Sequence, residues 1–541
     1  MNSTITNMAQ AILLSLLVAG CASDTTPTEA PARDGRRLTV GTAVVTKLVT
    51  TAAFTGPGSL TEILATAVHG DVIGFAPEVT RIVATAIIEP RAIVTLQGPA
   101  SGVTIERQGP GRIIQFPASA GLTLRNITLT NATGSSCGSA IANFGPLTLD
   151  HARLTTNAAD VGGAICAVGA LTIIASEFTG NSAATGDGGA IKATGPVTIR
   201  ASRFSGNTGE GHGGAVLVDG STNVTIENST FVDNKSTVGG AIHSSRSKIA
   251  VTGSVFINNT AGVGAEALFI DAPSGSALVV NSTFVEAGIP TGVLKDQVLI
   301  SRGTGSLSHV TFVGKFGGSV SGQIASVTVE NSLFVGATCA PDNLVFSGNN
   351  RADSPTCAVT GVTVGPTAIG ALADNGGPTQ TIALPFGSPA IDAATNCPVA
   401  TDQRGVTRPK GLGCDLGAFE FDDLTKATFT VDPSGTVSTR TGVAFVSGTI
   451  RCSRGAPVTF SVTGQQAQKV GRVNTTVTGA STVSTPCDGT PRAWSAAMTP
   501  ATGGFSTANM RVTAAAVAAA TDALEAPAVT NAAVKMSWSK R

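Results

Sequence analysis

Asp187 and His212 each stand directly before a glycine pair, in "DGGAI" and "HGGAV". A carboxylate beside an imidazole is the arrangement of a general base and its orienting partner, and Lys192, Arg200 and Glu210 lie near in sequence. The same slot holds Val161 and Val238 in the flanking copies of the motif. The competing reading is a surface ion pair, which contributes little. Glycoside hydrolysis needs two carboxyl groups at a set separation across a sugar. Calcium-assisted lyase chemistry needs clustered acidic ligands and a basic group. Asp219, Glu227 and Asp233 fall in non-equivalent slots and form no such set. Arg153, Glu177 and Arg203 share one slot and read as a charge ladder on a solvent face. His69, His151, His212, His243 and His309 are scattered, and ordinary surface positions are expected for them. No phosphate loop, dinucleotide fingerprint or metal-spaced His/Cys set occurs, so neither a cofactor nor a metal is expected. Asp187 and His212 are the catalytic candidates that remain.

What would position them is a repeat. Gly-Gly-Ala-aliphatic occurs at Gly162–Ile165, Gly188–Ile191, Gly213–Val216 and Gly239–Ile242, with a worn copy, "GSAI", at Gly138–Ile141. Phe-x-x-Asn occurs at Phe178–Asn181, Phe204–Asn207, Phe231–Asn234 and Phe256–Asn259, with "LTTN" at Leu154–Asn157. Subtracting positions gives steps of 24, 26, 25 and 26 for the alanines, and 26, 27 and 25 for the phenylalanines. Such a period belongs to a solenoid. Alternating segments such as "LTIIASEF" and "VTIRASRF" are strands. The expected fold is therefore all-β: a right-handed parallel β-helix followed by a small Ig-like β-sandwich. Coils stacked about 4.8 Å apart place like residues over one another. Phe178, Phe204, Phe231 and Phe256 then form an interior stack, and Asn181, Asn207, Asn234 and Asn259 form an amide ladder at a turn. "STF", "VTF" and "SLF" at Phe284, Phe312 and Phe334 continue the column. The solenoid proper is read over residues 55–370, on the order of eleven coils by strand spacing. The stretch "GSLTEILATAVHG" at Gly58–Gly70 is expected to be a short N-terminal capping helix.

Composition agrees with this reading. The chain of 541 residues carries 34 basic and 34 acidic side chains, so nucleic acid is not expected as a partner. It has 65 glycines, no tyrosine and two tryptophans, Trp494 and Trp538, which suits many short strands joined by turns. "AILLSLLVAG" at Ala11–Gly20 is too short to span a bilayer and runs into "VAGC". This looks like a bacterial lipobox, in which Cys21 would carry lipid, although "MNSTITNMAQ" lacks a basic residue. The divisions read from the chain are a lipoprotein signal peptide over 1–21, a tether and lead-in over 22–54, the β-helix with its caps over 55–424, and the C-terminal domain over 425–541. Without Cys21, an even set of cysteines remains, as disulfides in an exported protein require. Taken in order they pair as Cys137–Cys166, Cys339–Cys357, Cys397–Cys414 and Cys452–Cys487, one connectivity among several.

The paired Gly-Gly-Ala-aliphatic and Phe-x-x-Asn motifs resemble the repeats of polymorphic outer membrane proteins, a family of bacterial surface adhesins. "DNGGPTQTIAL" at Asp374–Leu384, "GSPAID" at Gly387–Asp392, "DQRGVTRP" at Asp402–Pro409 and "CDLGAFEF" at Cys414–Phe421 look like the terminal region of choice-of-anchor bacterial surface proteins. These resemblances imply a right-handed parallel β-helix displayed outside the cell. The adhesin family carries an outer-membrane barrel, and residues 426–541 read as too short and too alanine-rich for one. A lipid on Cys21 would take its place. The expectation is a non-enzymatic, monomeric surface protein with an adhesive or structural role. Its outer-membrane lipid anchor would leave glycans or surface proteins as partners. A polysaccharide lyase or glycoside hydrolase, or a carbohydrate-binding module, is the alternative.

Overall fold

The computed structural model describes residues 44–220, 222–286, 296–314, 325–336, 344–385, 387–411, 413–421, 427–452, 455–488, 491–516 and 529–539. Cys21, the signal segment and most of the tether lie outside them, as does Cys339.

The first described strand, Lys47–Val49, pairs in parallel with Val72–Phe75. Between them sits the helix Leu60–Ala65, where the Ser59 hydroxyl caps the Glu62 amide and Leu60 and Leu64 are buried. From there the chain winds through about 11 turns. The coil from Ile165 shows the pattern. Ile165–Ala167 and Leu171–Ile174 enter one large sheet, Glu177–Thr179 a second and Ser182–Ala183 a third. Each pairs in parallel with its equivalent in the next coil, so spatial neighbours are one repeat apart.

The coil bends at left-handed residues. Gly162, Gly188, Gly213 and Gly239 hold φ between 55° and 69°. A Cβ on Gly188 would lie 2.2 Å from the Ile191 carbonyl oxygen, so this corner admits only glycine. A second corner is less selective. His151, Ala175, Ala201, Asn228, Asn281, His309 and Asn331 all adopt positive φ there. Changing side chains at a constant backbone position hide this corner from motif reading.

Three columns run through the interior. Phe178, Phe204, Phe231 and Phe256 stack with ring centroids 4.6, 4.9 and 5.0 Å apart and nearly parallel planes. Phe284, Phe312 and Phe334 extend the stack, while Leu154, Leu129, Ile105 and Ile82 hold the same register in earlier coils. In the second column, Asn157, Asn181, Asn207 and Asn234 each donate from Nδ2 to Oδ1 of the asparagine one coil on, at 2.9–3.0 Å. That same oxygen accepts the backbone N–H of the donating asparagine. The third column is serine. The Ser176, Ser202 and Ser229 amides donate to Oγ of Ser202, Ser229 and Ser254, and each hydroxyl donates to the carbonyl two residues back. Buried corners thereby keep their polar groups satisfied.

Among the described residues the last strand of the third sheet is Thr260–Val263, and the asparagine ladder reaches Asn259. Beyond that point the segment following the coils lies along the solenoid flank. Thr379 Oγ1 donates to the Gly253 carbonyl, Thr283 Oγ1 to Gln403 Oε1, and the Ala418 amide to Thr311 Oγ1. Leu384, Ala390, Leu416 and Phe419 form a small core with Leu333.

The described residues between 427 and 539 form an eight-stranded sheet whose pairings run in a closed circuit, because Ala444–Cys452 joins both Ser434–Ser438 and Arg492–Pro500. The expected all-β C-terminal unit is therefore barrel-like as well as sandwich-like. Phe460, Val462, Trp494, Met498 and Val512 fill its interior, while the intervening positions along the strands are more exposed.

Disulfides join Cys137 to Cys166 and Cys397 to Cys414. The first links the end of one coil to the start of the next. Cys357 is also disulfide-bonded. The side chains of Cys452 and Cys487 are outside the described set.

Candidate functional site

The parallel register determines what the candidate residues meet. On the outward face of the large sheet, Cys166, Lys192, Leu217, His243, Phe269 and Leu299 form one column, each a coil from the next. Asp187 and His212 occupy successive coils at the adjoining glycine corner.

His212 Nδ1 donates to Asp187 Oδ1 at 2.8 Å, and the His212 backbone N–H donates to the same oxygen at 2.9 Å. Lys192 Nζ stands 3.7 Å from the other carboxylate oxygen. Burial alone would raise the Asp187 pKa. The two hydrogen bonds from His212, with the charges of His212 and Lys192, outweigh it and hold the carboxyl below its ordinary value. The His212 ring is about half exposed and meets the His243 ring edge-on, at 4.7 Å between centroids. His243 packs in turn against Phe269 at 4.8 Å. Its Nδ1 is buried without a hydrogen-bond partner, and burial lowers its pKa to about 4, so it is neutral near pH 7.

This arrangement can hold a proton acceptor in one orientation at the surface, because Asp187 fixes the ring by Nδ1. Among the described residues no group of three or more His, Cys, Asp or Glu side chains is placed to hold a metal ion.

The other charged candidates pair along the stack. Arg153 and Glu177 meet at 3.2 Å, and Glu177 is in register with Arg203 on its other side. Glu227 pairs with Arg200 at 2.9 Å and Asp219 with Arg246 at 2.5 Å. Asp219, Glu227 and Asp233 do not converge.

The histidines need a correction. His243 and His309 are buried, at 7% and 0% exposure, because each takes an inward or covered slot of its coil. His309 stands at a left-handed corner with Nδ1 3.1 Å from Ser308 Oγ. Burial and the Arg408 charge press its pKa down to about 3. His69 and His151 are at the surface, accepting from the Ile93 amide and meeting Asp150 respectively.

Sequence reading did not find a second polar centre, in the flanking segment. Arg408 is fully covered and donates to Glu420 Oε2, the Gly417 carbonyl and the Asp415 carbonyl at 2.7, 2.7 and 3.0 Å. Burial and the Glu420 charge raise the Asp415 pKa to about 7. "DQRGVTRP" and "CDLGAFEF" supply these groups, but nothing in their spacing says that they fold onto one another.

Fold and repeat together define a right-handed parallel β-helix protein. A family model for right-handed β-helix regions matches residues 112–287. No curated protein matches the chain. Among solved structures, the chain is similar to a mutant of the PL6 family alginate lyase AlyGC, with a TM-score of 0.42 and 12% identity over 72% of this chain and 61% of that one. Unmutated AlyGC gives 0.37 and 14%, covering 62% and 55%. An Acinetobacter phage tailspike protein gives 0.30 and 10%, covering 86% and 82%. The chain thus spans 61% and 55% of the lengths of the two lyase structures.

Proposed function

We propose that this chain is a non-catalytic β-helical protein of the bacterial surface, exported, held to the outer membrane by lipid on Cys21, and adhesive or structural in role. The supporting observation is how the solenoid uses its charges. Arg125 with Asp150, Arg153 with Glu177, Arg200 with Glu227, Arg246 with Asp219 and Arg302 with Asp271 are pairs between neighbouring coils. Groups engaged this way brace the stack and are not aimed at a common point where a glycosidic bond would sit. Metabolic labelling with an alkyne fatty acid, followed by membrane fractionation and a cell-adhesion assay, tests the reading. Label and outer-membrane recovery should vanish in Cys21→Ser, and surface attachment should fall with them. An unlabelled, fully soluble parent protein overturns the anchor.

The Asp187–His212 contact favours a second reading, a polysaccharide-active β-helix. Incubation with polyuronates and neutral glycans, with and without calcium, would yield unsaturated or reducing ends, and His212→Ala would abolish them. Intact polymer in every tube removes this reading.

A further inference from the structure

The register of the large sheet exposes an irregularity near its N-terminal end. Ile88 bridges Ile114, which pairs with Ile141. Past the corner, Val94 pairs with Leu122, and Leu122 with Leu147. Subtracting positions, that corner takes 6 steps in the first coil, 8 in the second and 6 in the third. The two extra residues belong to the turn Pro117–Ala120, whose first three residues stand exposed as a wall. Beneath the wall is an open cavity of about 540 Å³, bounded by Glu89, Arg91, Gln115, Pro117, Ser119 and Phe144.

Phe144 sets this corner apart. The phenylalanines of the stack are buried, whereas Phe144 is 49% exposed. Its amide donates to the Phe116 carbonyl, which seats the ring beside the cavity. The Gln115 side-chain oxygen accepts from Arg112, so its NH2 end is the one left to donate to a ligand. Glu89 and Arg91 are exposed and stand outside the ion pairs that neutralise the coil ladders. An apolar platform edged by an amide, a guanidinium and a carboxylate suits a ligand with a flat C–H face and hydroxyl edges. One positive and one negative group cancel, which favours an uncharged ligand over a polyanion.

We infer that this corner is a binding site for a neutral pyranose segment of a glycan, with the sugar face on Phe144 and hydroxyls on Gln115, Glu89 and Arg91. The inference rests on the surface reading only for where the glycan is met, since binding by the isolated protein does not depend on the anchor.

Isothermal titration of the full chain with cellohexaose, mannohexaose, laminarihexaose and xylohexaose is the test. At least one should bind. Phe144→Ala should weaken it by about tenfold or more, and Arg91→Ala should weaken it by a smaller factor, with both variants melting like the parent. Binding by none of the four, or undiminished binding in Phe144→Ala, overturns the site. Tighter binding of a hexauronate than of every neutral sugar overturns the neutral class. Loss of lipid labelling with retained titration heat would sink the anchor and leave the site standing.

Discussion

Asn207 Nδ2 donates both to Oδ1 of Asn234, one coil onward, and to the carbonyl of Phe178, one coil back. One side chain thereby ties three coils together and couples the asparagine ladder to the phenylalanine stack. Asn207→Ala strands the buried Asn181 backbone N–H and takes one partner each from Asn181 Nδ2, the Phe178 carbonyl and Asn234 Oδ1. The loss should be about 3 kcal/mol, since each stranded buried group costs roughly 1–3 kcal/mol. Urea unfolding followed by circular dichroism should show the midpoint fall well below that of a surface control such as Thr179→Ala.

Phe231 is fully buried between Phe204 and Phe256. Phe231→Ala leaves a cavity that neighbouring coils cannot close, because the backbones are already held by parallel pairing. The expected cost is about 3–5 kcal/mol. Phe231→Leu should cost less, as Leu154 already fills the equivalent place in an earlier coil. Equal losses for both substitutions would show that ring stacking, not filled volume, holds the column.

The columns were legible in the sequence because a parallel solenoid converts a spacing of two dozen residues into direct contact, with no need to know the rest of the fold. The Phe-x-x-Asn copies carried that information in their letters. The serine ladder and the left-handed corner at Ala175, Ala201 and Asn228 did not stand out, because serine is common in the chain and a backbone angle leaves no fixed residue type. The Asp187–His212 contact could be read from its slot, but the burial of His243 could not. That burial depends on Phe269 and His212 covering it from neighbouring coils. The cavity beside Phe144 arises from two added residues in one corner, and a length change is visible only once the flanking strands are in register.

The Cys137–Cys166 bridge closes a loop of 29 residues between successive coils. Constraint of the unfolded chain by such a loop stabilises by about 3–4 kcal/mol. Cys137→Ser paired with Cys166→Ser should lower the unfolding midpoint accordingly. The asparagine and phenylalanine columns begin their contacts away from these sulfurs, so the β-sheet circular dichroism of the native double variant should stay unchanged. A collapse of that signal under native conditions would mean that the bridge is needed to form the coils.

Two buried groups should give stability opposite slopes with pH. His243 titrates near 6.5 when unfolded and about 4 when folded, because burial opposes its charge. Its neutral form therefore contributes stability that is present above pH 6.5 and is lost as pH falls toward 4, on the order of 3 kcal/mol at full extent. Asp415 runs the other way. Its folded pKa is raised from 3.8 to about 7 by burial and Glu420, so its contribution is whole below about pH 4 and drains away as pH rises through 7. The two windows overlap between about pH 4 and 6.5, where the slopes oppose each other, so single variants are needed to separate them in urea titrations from pH 4 to 8. His243→Gln should remove the loss on acidification and leave a stability that falls as pH rises from 4 to 7. Asp415→Asn, which keeps the shape of the protonated acid, should remove that fall and leave a stability that drops as pH goes from 6.5 to 4. If His243→Gln keeps the parent's full acid slope, another group carries it, and His309, with its pKa pressed to about 3 by burial and Arg408, is the next to substitute.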